Sequence, residues 1–354
     1  MLKHGTTFVV GAGLSGELGL PMGASLGGKI ANLIDRHGKG QQDVLNTLYR
    51  NKSAAQVDEI DNAVNRLSSA LPAHASIDNL LERLAGFPGL EQCAKVGIVS
   101  AILMAESEAG ITVGNDTHVI FPTMTSFDIK GIGPSYREMF HLITSGVHVA
   151  ALGDAFARLC FVTFNYDRML EGIFHALVRA AYGLTRVAAT EVIGKATFLH
   201  AYGSVGNISQ SEVVPIANPL SKTDLNAAAQ RIKTFSESRN SGSDLEIKDV
   251  IAKSSQLIFL GCAFHQQNID LLRPTTSFDQ RPIWGTHYKP PPFDKHAKPT
   301  MELFAQPDIQ ALKAKLIRWS KGSINRLDAS RIHIEPLTCE QLIAKYGSSW
   351  TSDT

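Results

Sequence analysis

Cysteine, net charge and long apolar runs are all scarce in this chain of 354 residues. Its four cysteines lie far apart without a Cys-x-x-Cys pair, which argues against a zinc ribbon and a disulfide framework. The formal net charge of +1 predicts no nucleic-acid or membrane-surface footprint. No apolar stretch approaches the roughly 20 residues of a membrane span, and the polar start is unlike a signal sequence. We therefore expect a cytoplasmic protein that binds no metal.

The rest of the composition is typical of a folded α/β protein. Hydrophobic residues make up 44% of the chain and charged residues 19%, as in globular proteins. Helical stretches separate six short apolar runs, which indicate strands covered on both faces. These runs span residues 8–10, 160–164, 196–200, 257–260, 282–286 and 331–335. We predict a Rossmann-like, doubly wound, mainly parallel sheet with a helical insertion.

The predicted insertion covers residues 41–157, where amphipathic segments replace the alternation of strands and helices. Residues 1–40 and 158–354 would then form the Rossmann-like domain, and the insertion would form one wall of its ligand cleft. Near the C-terminal side, the polar stretch 237–243 predicts a flexible loop.

A glycine-rich turn follows the first predicted strand. The segment Gly11-Ala12-Gly13-Leu14-Ser15-Gly16 matches G-x-G-x-x-G, a pattern that lets a diphosphate approach the main chain at a helix N-terminus. The same pattern also fits a tight turn without a ligand. No predicted strand ends in Asp or Glu about 20 residues later, where a dehydrogenase binds its ribose. Asp35 lies near that distance in a polar, helical context, so a dehydrogenase is disfavoured.

Further short segments follow the turn in a recognisable order. They are Gly19-Leu20-Pro21, Thr163-Phe164-Asn165-Tyr166-Asp167, His200-Ala201-Tyr202-Gly203-Ser204, Leu260-Gly261-Cys262-Ala263-Phe264 and Trp284-Gly285-Thr286. Together with the turn, this series resembles the sirtuin family, and most closely its prokaryotic branch of antiphage-defence NAD hydrolases. The resemblance covers residues 6–31 and 158–290, about the two ends of the predicted Rossmann-like domain.

The resemblance implies an enzyme that hydrolyses NAD to nicotinamide and ADP-ribose. It implies that Asn165 orients water or the ribose hydroxyls and that His200 is the general base, two roles that an amide and an imidazole suit. Asp167 would bind the carboxamide. The full set of implied NAD-binding residues is Gly11, Ala12, Gly13, Ser15, Pro21, Asp167, Gly203, Ser204 and Gly261.

Three departures from the family pattern bear on the reaction. The chain cannot supply the four zinc-binding cysteines of sirtuin deacetylases, and Pro21-Met22-Gly23-Ala24 stands where those enzymes continue into D-F-R. Both departures disfavour protein deacylation. The family histidine usually stands directly before a glycine, whereas Tyr202 holds that place here and His200 lies two residues earlier. Residues two apart in a strand point to the same face, so His200 could still reach the site. The identity of the catalytic base therefore stays open.

Other interpretations of these residues and other functions stay open as well. Asn165 and Asp167 are residue types favoured as helix N-caps, and a helix is predicted to start near Arg168. Lys29 and Arg168 could neutralise phosphate charge. The chain could also be an NAD or ADP-ribose sensing module that regulates a partner without turnover. The resemblance further implies a homo-oligomer, and a partner such as a motor ATPase or another defence subunit.

Overall fold

The computed structural model describes residues 1–38, 40–71, 77–83, 86–87, 89–109, 112–113, 119–120, 132–206, 220–240, 242–274, 281–287, 309–320 and 329–351. The main sheet within them consists of β1 Thr6–Val10, β2 Leu159–Thr163, β3 Thr197–His200, β4 Gln256–Leu260, β5 Ile283–Thr286 and β6 Ile332–Glu335. All six strands are parallel, in the spatial order β3-β2-β1-β4-β5-β6. The predicted Rossmann-like α/β fold is confirmed, and every predicted strand is present within two residues at each end.

Helices account for most of the remaining described chain. Numbered α1 to α16 in chain order, they are Ala12–Ser15, Gly23–Ile34, Gln42–Tyr49, Ala54–Ala70, Ile77–Arg83, Leu90–Glu108, Pro134–Thr144, Leu152–Ala157, Met169–Tyr182, Arg186–Ile193, Leu225–Ala229, Phe235–Asn240, Ser243–Lys253, Gln266–Leu271, Ile309–Ser320 and Cys339–Tyr346. A two-stranded antiparallel ribbon pairs Thr112–Val113 with Val119–Ile120. None of the described helices combines the length and apolarity needed to cross a bilayer.

The central strands are buried on both faces because successive side chains enter opposite helical layers. Every residue of β1, β2 and β4 is buried. Val9 and Val162 belong to one apolar layer. Phe8 and Phe161 belong to the other, where their rings stack with centroids 5.3 Å apart. This alternation is the reason that continuous apolar runs, rather than alternating ones, marked the strands in the sequence.

Helices of the predicted insertion lie on both faces of the sheet. Val44 of α3, Leu67 of α4 and Ile98 of α6 share a layer with the sheet residue Val9. Tyr136 of α7 belongs to the opposite layer. Helix α6 is buried around most of its circumference, as expected for a helix that is apolar on nearly every side.

The loop predicted at 237–243 is wrong over 237–240, because α12 spans Phe235–Asn240, and α13 begins at Ser243. Residue 241 lies outside the described residues. The main-chain N–H of Glu237 donates to the Thr234 hydroxyl over 3.2 Å. In return the Thr234 N–H donates to the Glu237 carboxylate over 2.7 Å, which completes a capping box. Lys95 of α6 also pairs with this carboxylate at 2.7 Å. Polar residues here start a helix and anchor it to the insertion.

Candidate functional site

The candidate site lies at the carboxyl edge of the sheet, where the turn after β1 meets the segment after β2. Ligands of open parallel α/β sheets bind outside this edge. The Phe164 N–H donates to the carbonyl of Val10 over 2.9 Å, which keeps the segment beside the end of β1. Four buried polar side chains gather there, and we name them the carboxyl-edge cluster: Ser15, Tyr136, Asn165 and Asp167.

Asn165 is 7% exposed, and its amide is held by the turn after β1. Its Nδ2 donates to the carbonyl oxygen of Gly11 over 3.2 Å and to the hydroxyl of Ser15 over 2.9 Å. Because the Gly11 carbonyl can only accept, the orientation of the amide is defined. The Oδ1 atom is buried and has no hydrogen-bond partner among the described residues. Leaving a buried acceptor unsatisfied costs about 1–3 kcal/mol, so a donor from a ligand or water would be stabilising there.

Asp167 presents a buried carboxyl beside this amide. Its Oδ1 accepts from the Ser15 hydroxyl over 3.2 Å and from the main-chain N–H of Met169, at the start of α9, over 3.1 Å. Burial raises the pKa of Asp167 to about 7, and the nearby Glu106 carboxylate adds to the rise, which the two hydrogen bonds only partly offset. The carboxyl therefore exchanges its proton near neutral pH. Asp167 thus makes a capping contact with the start of α9, whereas the Asn165 side chain contacts the glycine turn instead.

Tyr136 reaches the cluster from α7 and is fully buried. Its hydroxyl approaches Ser15 without forming a hydrogen bond of good geometry. Burial first, and the Asp167 charge second, raise the pKa of Tyr136 well above its ordinary value. The phenol therefore stays protonated, and its O–H is a further donor in the cluster.

His200 ends β3 beside Thr163 of β2 and adjoins the cluster through main chain rather than through the Asn165 side chain. Its Nδ1 lies 3.1 Å from the carbonyl oxygen of Asn165, and its Nε2 lies 2.7 Å from the Glu171 carboxylate. Burial lowers the pKa of His200, but the charge and hydrogen bond of Glu171 outweigh that effect and raise it overall. Both ring nitrogens thus contact protein groups, whereas a general base needs one nitrogen free for the proton it accepts.

Arg168 is fully buried and is bound to Glu106 of α6. Its Nη2 lies 2.5 Å from the Glu106 carboxylate, and its main-chain N–H donates to the same carboxylate over 2.8 Å. The idea that Arg168 neutralises a phosphate is therefore wrong, because its charge is already paired inside the protein. The ion pair instead joins the insertion to the start of α9.

The glycine turn packs tightly against the turn after β4. The Gly11 N–H donates to the Leu260 carbonyl over 2.9 Å, and the Gly13 N–H donates to the Gly261 carbonyl over 3.0 Å. A Cβ on Gly13 would lie 2.8 Å from the Gly261 Cα. Gly261 itself has a φ of +66°, and its Cβ would lie 2.2 Å from the Leu14 nitrogen. These glycines are thus required by turn packing, and two of the N–H groups expected to hold the diphosphate are bonded inside the protein.

Of the other implied NAD-binding residues, one opens a helix and the rest lie in connecting loops. Ala12 opens α1, and Pro21 is buried just before α2. Gly203 has a φ of +72° in the turn after β3, where a Cβ would lie 1.9 Å from the Arg231 carbonyl oxygen. The Ser204 hydroxyl donates to the carbonyl of Gly206 in the same loop. Backbone conformation and packing therefore explain why residue 203 is a glycine, whether or not a ligand binds there.

Three residues of the site were not singled out in the sequence. Glu106 carries a usable signal, since it is an acid at the end of the largely apolar stretch 96–105. Glu171 also carries one, because it is an acid in the first turn of the helix that follows Asp167. Tyr136 carries no signal that distinguishes it from a core aromatic residue.

Neither a metal-binding cluster among the described residues nor a similarity to known proteins indicates a function. No group of three or more His, Cys, Asp or Glu side chains in the described part of the chain is arranged to hold a metal ion. Cys93, Cys160 and Cys339 are buried free thiols, and Cys262 is partly buried. No family model matches this chain, and a search of the curated proteins finds no relative. The chemistry of the carboxyl-edge cluster is therefore the main indication of function.

Proposed function

We propose that the chain is an NAD hydrolase whose carboxyl-edge cluster binds the nicotinamide ribose. The observation that carries the proposal is the buried Oδ1 of Asn165, which lacks a partner among the described residues. A ribose hydroxyl or an attacking water is a donor that would satisfy it. The order of the strands supports a nucleotide at this edge, because Rossmann-like sheets bind nucleotides outside the carboxyl ends of their strands.

Cleavage of NAD needs little help from a general acid, because the nicotinamide group is already cationic before it leaves. Nicotinamide leaves as a neutral molecule with the electron pair of the bond to C1′, and an oxocarbenium-like sugar develops. The water oxygen bonds to C1′, and a neighbouring base takes the water proton. Asp167 suits both needs: its carboxylate stabilises positive charge on the sugar, and a pKa of about 7 leaves it able to accept a proton near neutral pH.

In this proposal the glycine turn contributes less to binding of the diphosphate than the resemblance implies. The N–H groups of Gly11 and Gly13 already bond to the turn after β4, and the Ser15 hydroxyl is shared between Asn165 and Asp167. Support is thus stronger for the nicotinamide-ribose half of the site than for the diphosphate half.

The experiment incubates the full chain with NAD and measures free nicotinamide by chromatography. Asn165→Ala is expected to lower nicotinamide release by about 100-fold or more, the scale seen when one oriented polar group of an active site is removed. Gln256→Ala is the matched control, since Gln256 is a buried amide at the amino end of β4 and its Oε1 also lacks a partner among the described residues. Thermal unfolding checks that both variants are folded.

The control variant should keep its turnover. Full turnover in Asn165→Ala would contradict the site, and no nicotinamide from the wild type in any oligomeric state would contradict hydrolysis. In the biological setting that the resemblance implies, the enzyme would be an antiphage-defence effector that depletes NAD, restrained through a homo-oligomer or a partner such as a motor ATPase.

A second candidate function is NAD or ADP-ribose sensing without turnover, with a partner protein as the regulated target. The observation that favours it is the contact of both His200 ring nitrogens with protein groups. Isothermal titration calorimetry separates the two functions: saturable NAD binding with no nicotinamide released favours sensing, and binding followed by release favours hydrolysis.

A further inference from the structure

We infer that His200 is a protonated positioning residue, fixed by Glu171, that aims Asn165 rather than accepting a proton from the substrate. Its consequence for turnover rests on the proposed function, whereas the ion pair itself does not. The inference reverses the role that the resemblance implies for His200, and it brings in Glu171, which the sequence motifs do not include.

The hydrogen-bond partners of the ring determine where its protons are. The carbonyl oxygen of Asn165 can only accept, so the Nδ1 that lies 3.1 Å away carries a hydrogen. The Nε2 lies 2.7 Å from a Glu171 oxygen, the length of a charge-assisted hydrogen bond between an imidazolium and a carboxylate. Both side chains are 13% exposed, so water competes little for either partner. The ring is therefore an imidazolium with a donor on each nitrogen.

The charges around the ring all favour that state. The charged groups of the described chain that face it are Glu171 on α9 and Asp167 in the segment after β2, and both are acids. Burial alone would favour the neutral ring, and the Glu171 carboxylate outweighs it. Release of a proton from His200 would leave Glu171 without its cation in a largely buried position.

The pair acts on the site through the main chain of Asn165. The side chain of this residue bonds to the turn after β1, through Gly11 and Ser15. Its carbonyl bonds to His200 at the end of β3. The segment after β2 is thus held from both neighbouring strands, and the Asn165 N–H also donates to the Thr163 hydroxyl over 3.0 Å. Without the His200 donor, the Asn165 carbonyl would lose its contact with the end of β3, and the position of the residue would be less restrained.

The direct test is a ¹H–¹⁵N nuclear magnetic resonance experiment on the full chain with ¹⁵N-labelled histidine. The His200→Gln variant identifies the His200 signal by its disappearance among the 12 histidines. In the wild type at pH 7 we expect both ring nitrogens of His200 to carry a hydrogen. Glu171→Gln should lower the titration midpoint of His200 by about one pH unit or more. Glu191 is exposed, so Glu191→Gln should leave that midpoint unchanged. A neutral His200 ring at pH 7 in the wild type would overturn the inference, whatever the protein does to NAD.

A turnover measurement then separates positioning from base catalysis. The amide of His200→Gln can donate to the Asn165 carbonyl but cannot take up a proton near neutral pH. A positioning role predicts that nicotinamide release falls less than tenfold in this variant, with the pH profile of the wild type, and falls further in His200→Ala. A loss of about 100-fold or more in the glutamine variant, as for a missing general base, would contradict the inference. If the wild type itself releases no nicotinamide, the proposed function fails. The magnetic resonance experiment then still tests whether His200 and Glu171 form an ion pair.

Discussion

Asp167 lies in surroundings where burial opposes its charge more strongly than its two hydrogen bonds support it. The Ser15 hydroxyl and the Met169 N–H both stabilise a carboxylate, yet the pKa rises to about 7 because the side chain is buried and lies near Glu106. This balance links the chemistry of the site to the stability of the fold. A carboxyl that holds its proton more tightly in the folded protein makes folding depend on pH.

The sign of this dependence is defined by the two pKa values of Asp167, 3.8 as the ordinary value and about 7 in the folded protein. Between them the folded state keeps a proton that the unfolded state releases, so the free energy of unfolding falls as pH rises from about 4 to about 7. In the wild type we expect the free energy of unfolding to fall by on the order of 2–4 kcal/mol over this pH range. Asp167→Asn should abolish that fall. Urea unfolding at a series of pH values measures this dependence, with Asp249→Asn as control because Asp249 is exposed. Equal slopes in wild type and Asp167→Asn would contradict the assignment.

Individual site residues could be predicted where a sequence motif marks them. Asn165 and Asp167 were singled out through the motif resemblance, and the structure places both after the buried strand β2, at the carboxyl edge of the sheet. Their partners depend on contacts that no local pattern encodes, since Glu106 bonds to Arg168 across 62 residues of chain. The ring contacts of His200 likewise depend on how β3 lies beside β2. The sequence could therefore name the histidine but not the two groups that its ring contacts.

At the scale of elements, the two glycine turns after β1 and β4 act as one packed unit. Their backbones approach so closely that Gly13 and Gly261 have no space for side chains. The hydrogen bonds between the turns hold the carboxyl ends of neighbouring strands in register, next to the cluster. A pattern that is usually interpreted as a phosphate loop is explained here first by contact between two turns.

Gly261→Ala should be strongly destabilising, because a φ of +66° disfavours any side chain and the new Cβ would meet the Leu14 nitrogen at 2.2 Å. We expect a loss of about 2–5 kcal/mol in the free energy of unfolding. Gly28→Ala is the control, since Gly28 lies inside α2 with no atom within 4 Å of the added Cβ. It should stabilise the protein by about 0.5–1 kcal/mol. A change below about 1 kcal/mol in Gly261→Ala would show that the turns can separate.

Strands were easier to predict than the helices of the C-terminal half, for a physical reason. A strand buried on both faces needs an uninterrupted apolar run, and each of the six runs is a strand. Helix α12 lacks such a run, and the polarity of 237–243 suggested a loop. The capping-box sequence from Thr234 to Glu237 was a usable signal for its start. The Lys95 pair that anchors it could not be seen without the fold.

For the whole molecule, the helices inserted after the first βα unit are part of the core and of the site. They contribute to both apolar layers, and Glu106 of α6 supports the start of α9 through the buried pair with Arg168. Composition and alternation predicted the insertion as a separate helical stretch of sequence. They could not predict that Glu106 and Tyr136, both within it, complete the surroundings of Asp167, because those contacts arise only when the layers assemble.

If the carboxyl-edge cluster receives the nicotinamide ribose of NAD, a crystal structure of Asp167→Asn with NAD bound will show it there. We expect this variant to hold NAD with little turnover. The result we predict is a ribose hydroxyl about 3 Å from the Oδ1 of Asn165, with residue 167 beside C1′. A nucleotide bound elsewhere, with that Oδ1 still without a partner, would contradict this binding site.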